Sequence, residues 1–239
     1  MPIQDVYVIG VGMTPFSGKL HKGKTCRELL VEAALEAVKS VDKGINLKSE
    51  VEAVFIGYFT PELYEHQSHI GPLASTWLGL TPKPSFRTEI ACASSSAALF
   101  AGITAIASGV CDLVLVGGVE KMTNLDTGGV TEALAMASDD LAESRVGATF
   151  PGLYALLAQA YFHRYGASWE QLQTVPIKNH YNGSLNPKAH FQETIAQIAQ
   201  KVGSKLGVKY RDEMDFLKNS PFNRVVAYPL RLFDCCPIS

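Results

Sequence analysis

Ile90-Ala-Cys92-Ala-Ser-Ser-Ser-Ala-Ala-Leu99 decides how this chain is read. A strand-like stretch, 85–91, ends at a single thiol, and a run of small residues with helical character begins directly after it. A cysteine placed between a strand and a helix start sits beside unpaired N–H groups and the positive end of the helix dipole. Both favour the thiolate, which is the attacking species. Ala93 to Ser96 add little bulk, leaving a substrate carbonyl room to approach the sulfur. The opposing reading, a buried cysteine packed as a small hydrophobe, is outweighed by these surroundings.

Outward from the thiol, residues 90–111 carry no charge over a span long enough to cross a bilayer at about 1.5 Å per residue. Ser94, Ser95, Ser96, Gly102, Thr104, Ser108 and Gly109 dilute the apolarity, and Glu89 and Asp112 close in at the ends, so no membrane span is expected. A helix over 94–108 that is apolar or small on every side belongs between protein layers. Upstream, Val6 to Gly10 reads as a short strand, Thr25 to Val41 as a helix, Val51 to Phe59 as a strand and Ile70 to Leu78 as a helix. Downstream, Cys111-Asp-Leu-Val-Leu-Val-Gly117 reads as a buried strand. The alternation predicts an α/β fold with a mainly parallel sheet covered by helices on both faces. Gly10-Val-Gly12 is not a dinucleotide fingerprint, because Met13-Thr-Pro15 turns the chain where a third glycine and a helix start are required.

After Met122 the character changes. Gly128-Gly129, Asp139-Asp140 and Thr149-Phe-Pro-Gly152 punctuate the chain, Tyr154 to Tyr165 is helical, and Ser168-Trp-Glu-Gln171 is a capped helix start. Lys178-Asn-His180 and Asn186-Pro-Lys-Ala-His190 form a basic, histidine-bearing tract, which by itself also fits a solvated turn region. Gln192 to Leu206 is a further helix, and 225–227 and 232–238 return to strand-like sequence. The 239 residues are 47% hydrophobic and 18% charged, enough for a substantial core, and the net charge of −2 with no long basic run argues against nucleic acid as partner. Five cysteines, including the adjacent Cys235-Cys236, show neither metal-ligand spacing nor a disulfide framework. With no signal peptide read at Met1-Pro-Ile-Gln-Asp5, the expected location is the reducing cytoplasm.

Four tracts in order carry a resemblance. Glu89-Ile-Ala-Cys92-Ala-Ser-Ser-Ser96, Asp112-Leu-Val-Leu-Val-Gly-Gly-Val-Glu-Lys-Met122, Lys178-Asn-His180 with Asn186-Pro187 and Phe191, and Tyr228-Pro-Leu-Arg-Leu-Phe-Asp-Cys-Cys-Pro-Ile-Ser239 together resemble the amino-terminal half of a thiolase. The nearest branch is that of the sterol carrier protein X thiolase and the archaeal acetyl-CoA acetyltransferases, many of which have glycine where Ser95 stands. The resemblance implies a thiolase core over 1–122, an inserted, mostly helical loop domain over 123–227 that binds coenzyme A, and a return strand of the core over 228–239. It implies Cys92 as the acylated nucleophile, with Tyr154, Lys178 and His180 facing the substrate. Acyl-CoA is then the substrate, and no tightly bound cofactor or metal is called for.

The family's activating histidine and second cysteine lie in a C-terminal half whose motifs do not occur here, and none of the six histidines stands in a matching context. A chain of residues 1–239 alone is therefore expected to be inactive and to leave one side of its central helix bare. Expected partners are a second copy, a chain supplying the C-terminal half, and a small zinc-ribbon and OB-fold protein. Within the superfamily, a hydroxymethylglutaryl-CoA synthase, a ketoacyl synthase or a CoA-linked retro-aldolase stands as an alternative. From another class, the alternative is a non-catalytic scaffold subunit.

Overall fold

The computed structural model describes residues 4–235. Among these, residues 4–14 and 18–133 form one compact unit, and residues 15–17 with 134–235 form another.

The first unit is built on Ala53–Gly57 (β1), an uninterrupted apolar run in which every residue is buried. Runs of that kind belong in the middle of parallel sheets covered on both faces. β1 pairs in parallel with Ser85–Thr88 (β2) on one side and Val114–Gly118 (β3) on the other. Alternate residues of β1 face opposite layers. Val54 and Ile56 join the larger cluster with Leu30 and Ala34 of Cys26–Lys39 (α1) and with Ile70 and Ala74 of Ile70–Trp77, while Ala53 and Phe55 pack with Ala98, Ala101 and Ala105 beneath Ser94–Ala107. The short helices Leu47–Glu50 (α2) and Pro61–Glu65 (α3) flank β1 in sequence, so Ile70–Trp77 is α4 and Ser94–Ala107 is α5. Thr25 and Glu28 form a reciprocal capping box at the start of α1, as the Thr-x-x-Glu spacing requires. Thr127–Ala135 (α6) closes the unit.

α5 meets the sheet with Ala98 and Gly102, while Leu99 and Ile103 are exposed and Phe100 is 74% exposed. A helix read as apolar on every side thus has one face covered by the described residues. The strand expected at Val6 to Gly10 does not form: residues 4–17 hold no regular element, and Tyr7, Val8 and Ile9 are exposed. Instead the segment crosses α1. The Val11 N–H donates to Ser40 Oγ (2.7 Å), the Met13 N–H donates to Glu36 Oε2 (2.9 Å), and Gly10 passes so close that a Cβ would lie 2.6 Å from the Ala37 carbonyl.

The second unit is mostly helical: Phe150–Tyr165 (α7), Trp169–Leu185 (α8), Ile195–Leu206 (α9) and Glu213–Asn219 (α10). Ile195, Ala199, Val202, Phe216, Leu217 and Phe233 form its core. The basic tract, which by itself also fits a solvated turn region, begins inside α8, whose capping box is Ser168 with Gln171. Val225–Ala227 (β4) and Leu230–Arg231 (β5) pair antiparallel. The strand read over 232–238 is corrected: Leu232–Cys235 is helical (α11), and 236–239 lie outside the described residues. Asn223 Oδ1 accepts the Phe233 N–H (3.0 Å) that a ladder would need, and Asp234 Oδ2 accepts the Arg231 N–H (2.8 Å) at the end of β5, where the chain turns into the helix. The described part of 228–239 belongs to the second unit, and that unit begins at 134.

Candidate active site at the carboxyl ends of the parallel strands

Because β1, β2 and β3 run parallel, the loops after Gly57, Thr88 and Gly118 gather at one edge, where open α/β sheets place their ligands. Two glycines let α5 begin directly above that edge. A Cβ on Gly57 would lie 2.5 Å from the carbonyl carbon of Ser94, and one on Gly118 would lie 3.1 Å from Ser95 Cβ. Thr88 Oγ1 donates to the Ser94 carbonyl (2.9 Å), tying the end of β2 to the same turn.

Cys92 sits in a 3₁₀ turn, Ala91–Ala93, immediately before α5, and it is exposed. The turn is fixed from within. Ser94 Oγ accepts from the Ile90 N–H (3.1 Å) and donates to the Ala91 carbonyl (2.7 Å), while Glu89 Oε1 accepts from the Ala91 N–H (2.6 Å). Ala91 adopts φ of 45°, a left-handed conformation costly for an L-residue. No side chain caps α5, so its first N–H groups remain oriented toward the turn that carries the thiol. Cys26 is the opposite case: burial, followed by its hydrogen bond to Glu65, pushes its thiol up to about 12. Cys111 is half-buried, and burial also raises its pKa. Cys236 lies outside the described residues.

A polar network behind the thiol holds the loop that follows β1. Arg87 Nε donates to the Tyr58 carbonyl (2.8 Å), and its guanidinium also reaches the Phe59 carbonyl and the Glu62 carboxylate. Glu120 accepts from the N–H groups of Phe59 (2.9 Å) and Thr60 (3.4 Å); burial raises its pKa, opposed by those two N–H groups and by Arg87. Glu65 accepts from Tyr58 Oη (2.9 Å) and from the Cys26 N–H (3.0 Å). Lys121 is buried and donates from Nζ to the His21 carbonyl (2.7 Å) and to Thr123 Oγ1. The sequence reading did not assign roles to Arg87 or Glu120. The Gly117-Gly-Val-Glu-Lys-Met122 ending of β3 was the available signal for Glu120.

Tyr154, Lys178 and His180 belong to the second unit and Cys92 to the first. Tyr154 is 59% exposed on α7, beside a cavity of about 790 Å³ lined also by Tyr161, Tyr165 and Asp234. Lys178 is exposed on α8. His180, expected to face substrate, is 1% exposed: Nδ1 lies 3.1 Å from the Glu193 carbonyl, and the ring packs in a tilted arrangement 5.7 Å and 5.5 Å from those of Phe191 and Phe233. Burial lowers its pKa, against the opposing bond to Glu193. Among the described residues no group of three or more His, Cys, Asp or Glu side chains is arranged to hold a metal ion, and no helix is long and apolar enough to cross a membrane.

The family described as "Thiolase, N-terminal domain" matches residues 6–218. An acetyl-CoA acetyltransferase of Methanothermobacter thermautotrophicus is 40% identical over 237 residues, covering 99% of this chain and 55% of that protein. One from Methanocaldococcus jannaschii is 40% identical over 239 residues, covering 99% and 54%. The solved structure of an acetyl-CoA acetyltransferase from Syntrophomonas wolfei matches with a TM-score of 0.56 at 18% identity, over 76% of this chain and 47% of that one, a likeness of fold. The chain thus spans about half the length of the relatives it matches.

Proposed function

This chain belongs to the thiolase family through its N-terminal domain, and from that premise we propose that it acts in thiolase-type acyl transfer through an acyl-cysteine on Cys92. The observation that carries the reading is the exposed thiol in a tight turn at the uncapped start of α5, above the carboxyl ends of three parallel strands. In the proposed first step the Cys92 thiolate attacks the thioester carbonyl of an acyl-CoA. The tetrahedral intermediate collapses with cleavage of the carbon–sulfur bond to coenzyme A, which leaves as a thiol after taking up a proton, and the acyl group stays on Cys92. The backbone N–H of Cys92 is the donor this chain offers to the oxyanion, since the N–H groups of Ala91 and Ala93 are engaged by Glu89 and the Ile90 carbonyl. In the second step the α-carbon of an acetyl-CoA loses a proton to a base and attacks the acyl-cysteine carbonyl; a carbon–carbon bond forms, the carbon–sulfur bond to Cys92 breaks, and Cys92 is released as the thiolate, thiolysis being the reverse.

The activating base for Cys92 and the acid–base group for the α-carbon belong, in this proposal, to a C-terminal half supplied by a further segment or chain. Support comes from the uncovered apolar face of α5 and from the share of its relatives that the chain spans. Tyr154 and Lys178, both exposed, are proposed to contact coenzyme A; His180, being buried, is assigned to the core. Self-association through residues 85–91 is proposed because β2 is an edge strand, with Phe86 and Ile90 exposed. A cytoplasmic location and an assembly with a zinc-ribbon and OB-fold protein are proposed on the resemblance alone.

Incubation with a labelled acyl-CoA in the presence of the C-terminal half, followed by peptide mapping, tests the reading. The label is expected on Cys92 and absent from Cys92→Ala. Label that persists in Cys92→Ala on Cys26, Cys111, Cys235 or Cys236 overturns it.

A further inference from the structure

Ser94 and Glu89 grip the peptides on either side of Ala91. Ser94 Oγ accepts from the Ile90 N–H (3.1 Å) and donates to the Ala91 carbonyl (2.7 Å), and the Ser94 N–H donates to that same carbonyl. Glu89 Oε1 accepts from the Ala91 N–H (2.6 Å), and the Ala93 N–H donates to the Ile90 carbonyl (2.9 Å). Of the N–H groups from Ile90 to Ser94, that of Cys92 is the one these acceptors leave open.

The direction of that N–H is set by its own peptide. The bond joining Ala91 to Cys92 is trans, so the Ala91 C=O and the Cys92 N–H point to opposite sides of the chain. Ser94 is 5% exposed, and its hydroxyl and N–H draw the carbonyl toward the start of α5. The Cys92 N–H is thereby turned to the other side, away from Ser94. This geometry includes the left-handed φ of 45° at Ala91, a conformation that persists in alanine only where its surroundings over-determine it. Glu89 on the preceding peptide and Ser94 on the following one supply that constraint.

We propose that Ser94 is a positioning residue, with Glu89 as its counterpart across Ala91: together they hold the Ala91–Cys92 peptide so that the Cys92 N–H faces the oxygen of a carbonyl under attack by the Cys92 sulfur. The inference rests on the reading of Cys92 as the nucleophile and adds what aims its oxyanion donor. Such a donor is effective when it is fixed, before reaction, on the place where charge develops. Ser94 is buried and its hydroxyl is engaged with backbone on both sides, so its effect on the reaction passes through the peptide it holds.

The test compares two reactions of Cys92 in the chain of residues 1–239, each followed by peptide mass at a pH where the thiol is ionised and needs no base. With iodoacetamide the thiolate displaces iodide at a saturated carbon, and no oxyanion forms. With phenyl thioacetate it adds to the carbonyl, an oxyanion forms, and collapse expels thiophenolate and leaves the acetyl group on Cys92. Ser94→Ala is expected to slow acetyl transfer about tenfold or more while alkylation stays within about twofold. A turn that had only loosened, or a thiol that had only become harder to ionise, would change both rates together. If Ser94→Ala folds poorly, Glu89→Ala decides, measured against Glu89→Gln, which removes the charge but keeps an oxygen acceptor for the Ala91 N–H; the alanine variant is expected to lose acetyl transfer relative to alkylation and the glutamine variant to retain it. An unchanged ratio of the two rates in the deciding variant overturns the proposal. Acyl-CoA label on Cys92 together with an unchanged ratio would leave the acyltransferase reading standing without this inference, whereas a lowered ratio with no acyl-CoA label on Cys92 would do the reverse.

Discussion

At the scale of single residues, the turn that presents Cys92 stores strain at Ala91, whose φ of 45° lies in the left-handed region. That conformation costs an L-residue about 1–2 kcal/mol, part of which glycine recovers after its larger loss of chain entropy. Ala91→Gly is therefore expected to raise stability in urea titration by up to about 1 kcal/mol, whereas the β-branched Ala91→Val is expected to lower it by more than about 1 kcal/mol. His180 gives a pH prediction with a definite sign. Burial holds its folded pKa below the ordinary value, so below that ordinary value the unfolded chain takes up a proton that the folded chain refuses. The stability it confers is fully present above the unfolded pKa and is lost as pH falls toward the folded one. Chemical unfolding of the second unit followed between pH 7.5 and 5.5 should show a decline, at most about 1.4 kcal/mol per pH unit for one proton, that His180→Phe flattens.

At the scale of elements, the glycines ending β1 and β3 set where α5 starts. Gly57→Ala places a Cβ 2.5 Å from the Ser94 carbonyl carbon, so the turn must move. A loss of about 1–3 kcal/mol and slowed acylation of Cys92 are expected, with Gly23→Ala, which meets nothing within 4 Å, as the control for adding a methyl group. The elements legible in the sequence are those specified locally. The Thr25 to Glu28 box starts α1, the apolar run of 53–57 makes a central strand, and the small residues after Cys92 make α5. Val6 to Gly10 misled because strand-type residues encode an extended chain without encoding a neighbour to pair with, and here the neighbour is α1. Residues 232–235 misled because Asn223 Oδ1 captures the Phe233 N–H and Asp234 turns back to hold the Arg231 N–H just before them. Cys92 was legible for the same local reason as α5. Glu120 was not, since it meets the Phe59 N–H across 61 positions of sequence and only the folded sheet brings the two loops together.

At the scale of the whole molecule, the open face of α5 and the proposal that the acid–base groups belong to a C-terminal half lead to one expectation. Purified residues 1–239, checked by mass for any second polypeptide, should turn over acetoacetyl-CoA at close to background, because each general acid–base group contributes about 10²–10⁴-fold. Robust thiolysis from that sample would require a base within these residues. Phe100, 74% exposed on α5, should drive association of the isolated chain, so Phe100→Asp is expected to shift sedimentation toward smaller species without lowering the unfolding midpoint. The sheet also has a consequence in time. Its central strand, made first, pairs with β2 on one side and β3 on the other, so the sheet is complete only once residue 118 has been made. At about 5–20 residues per second, roughly a hundred further residues then leave the ribosome over about 5–20 s before the second unit is whole. Throughout that interval, and after it, the apolar side of α5 stays open to solvent, so the nascent chain is expected to bind chaperones during synthesis.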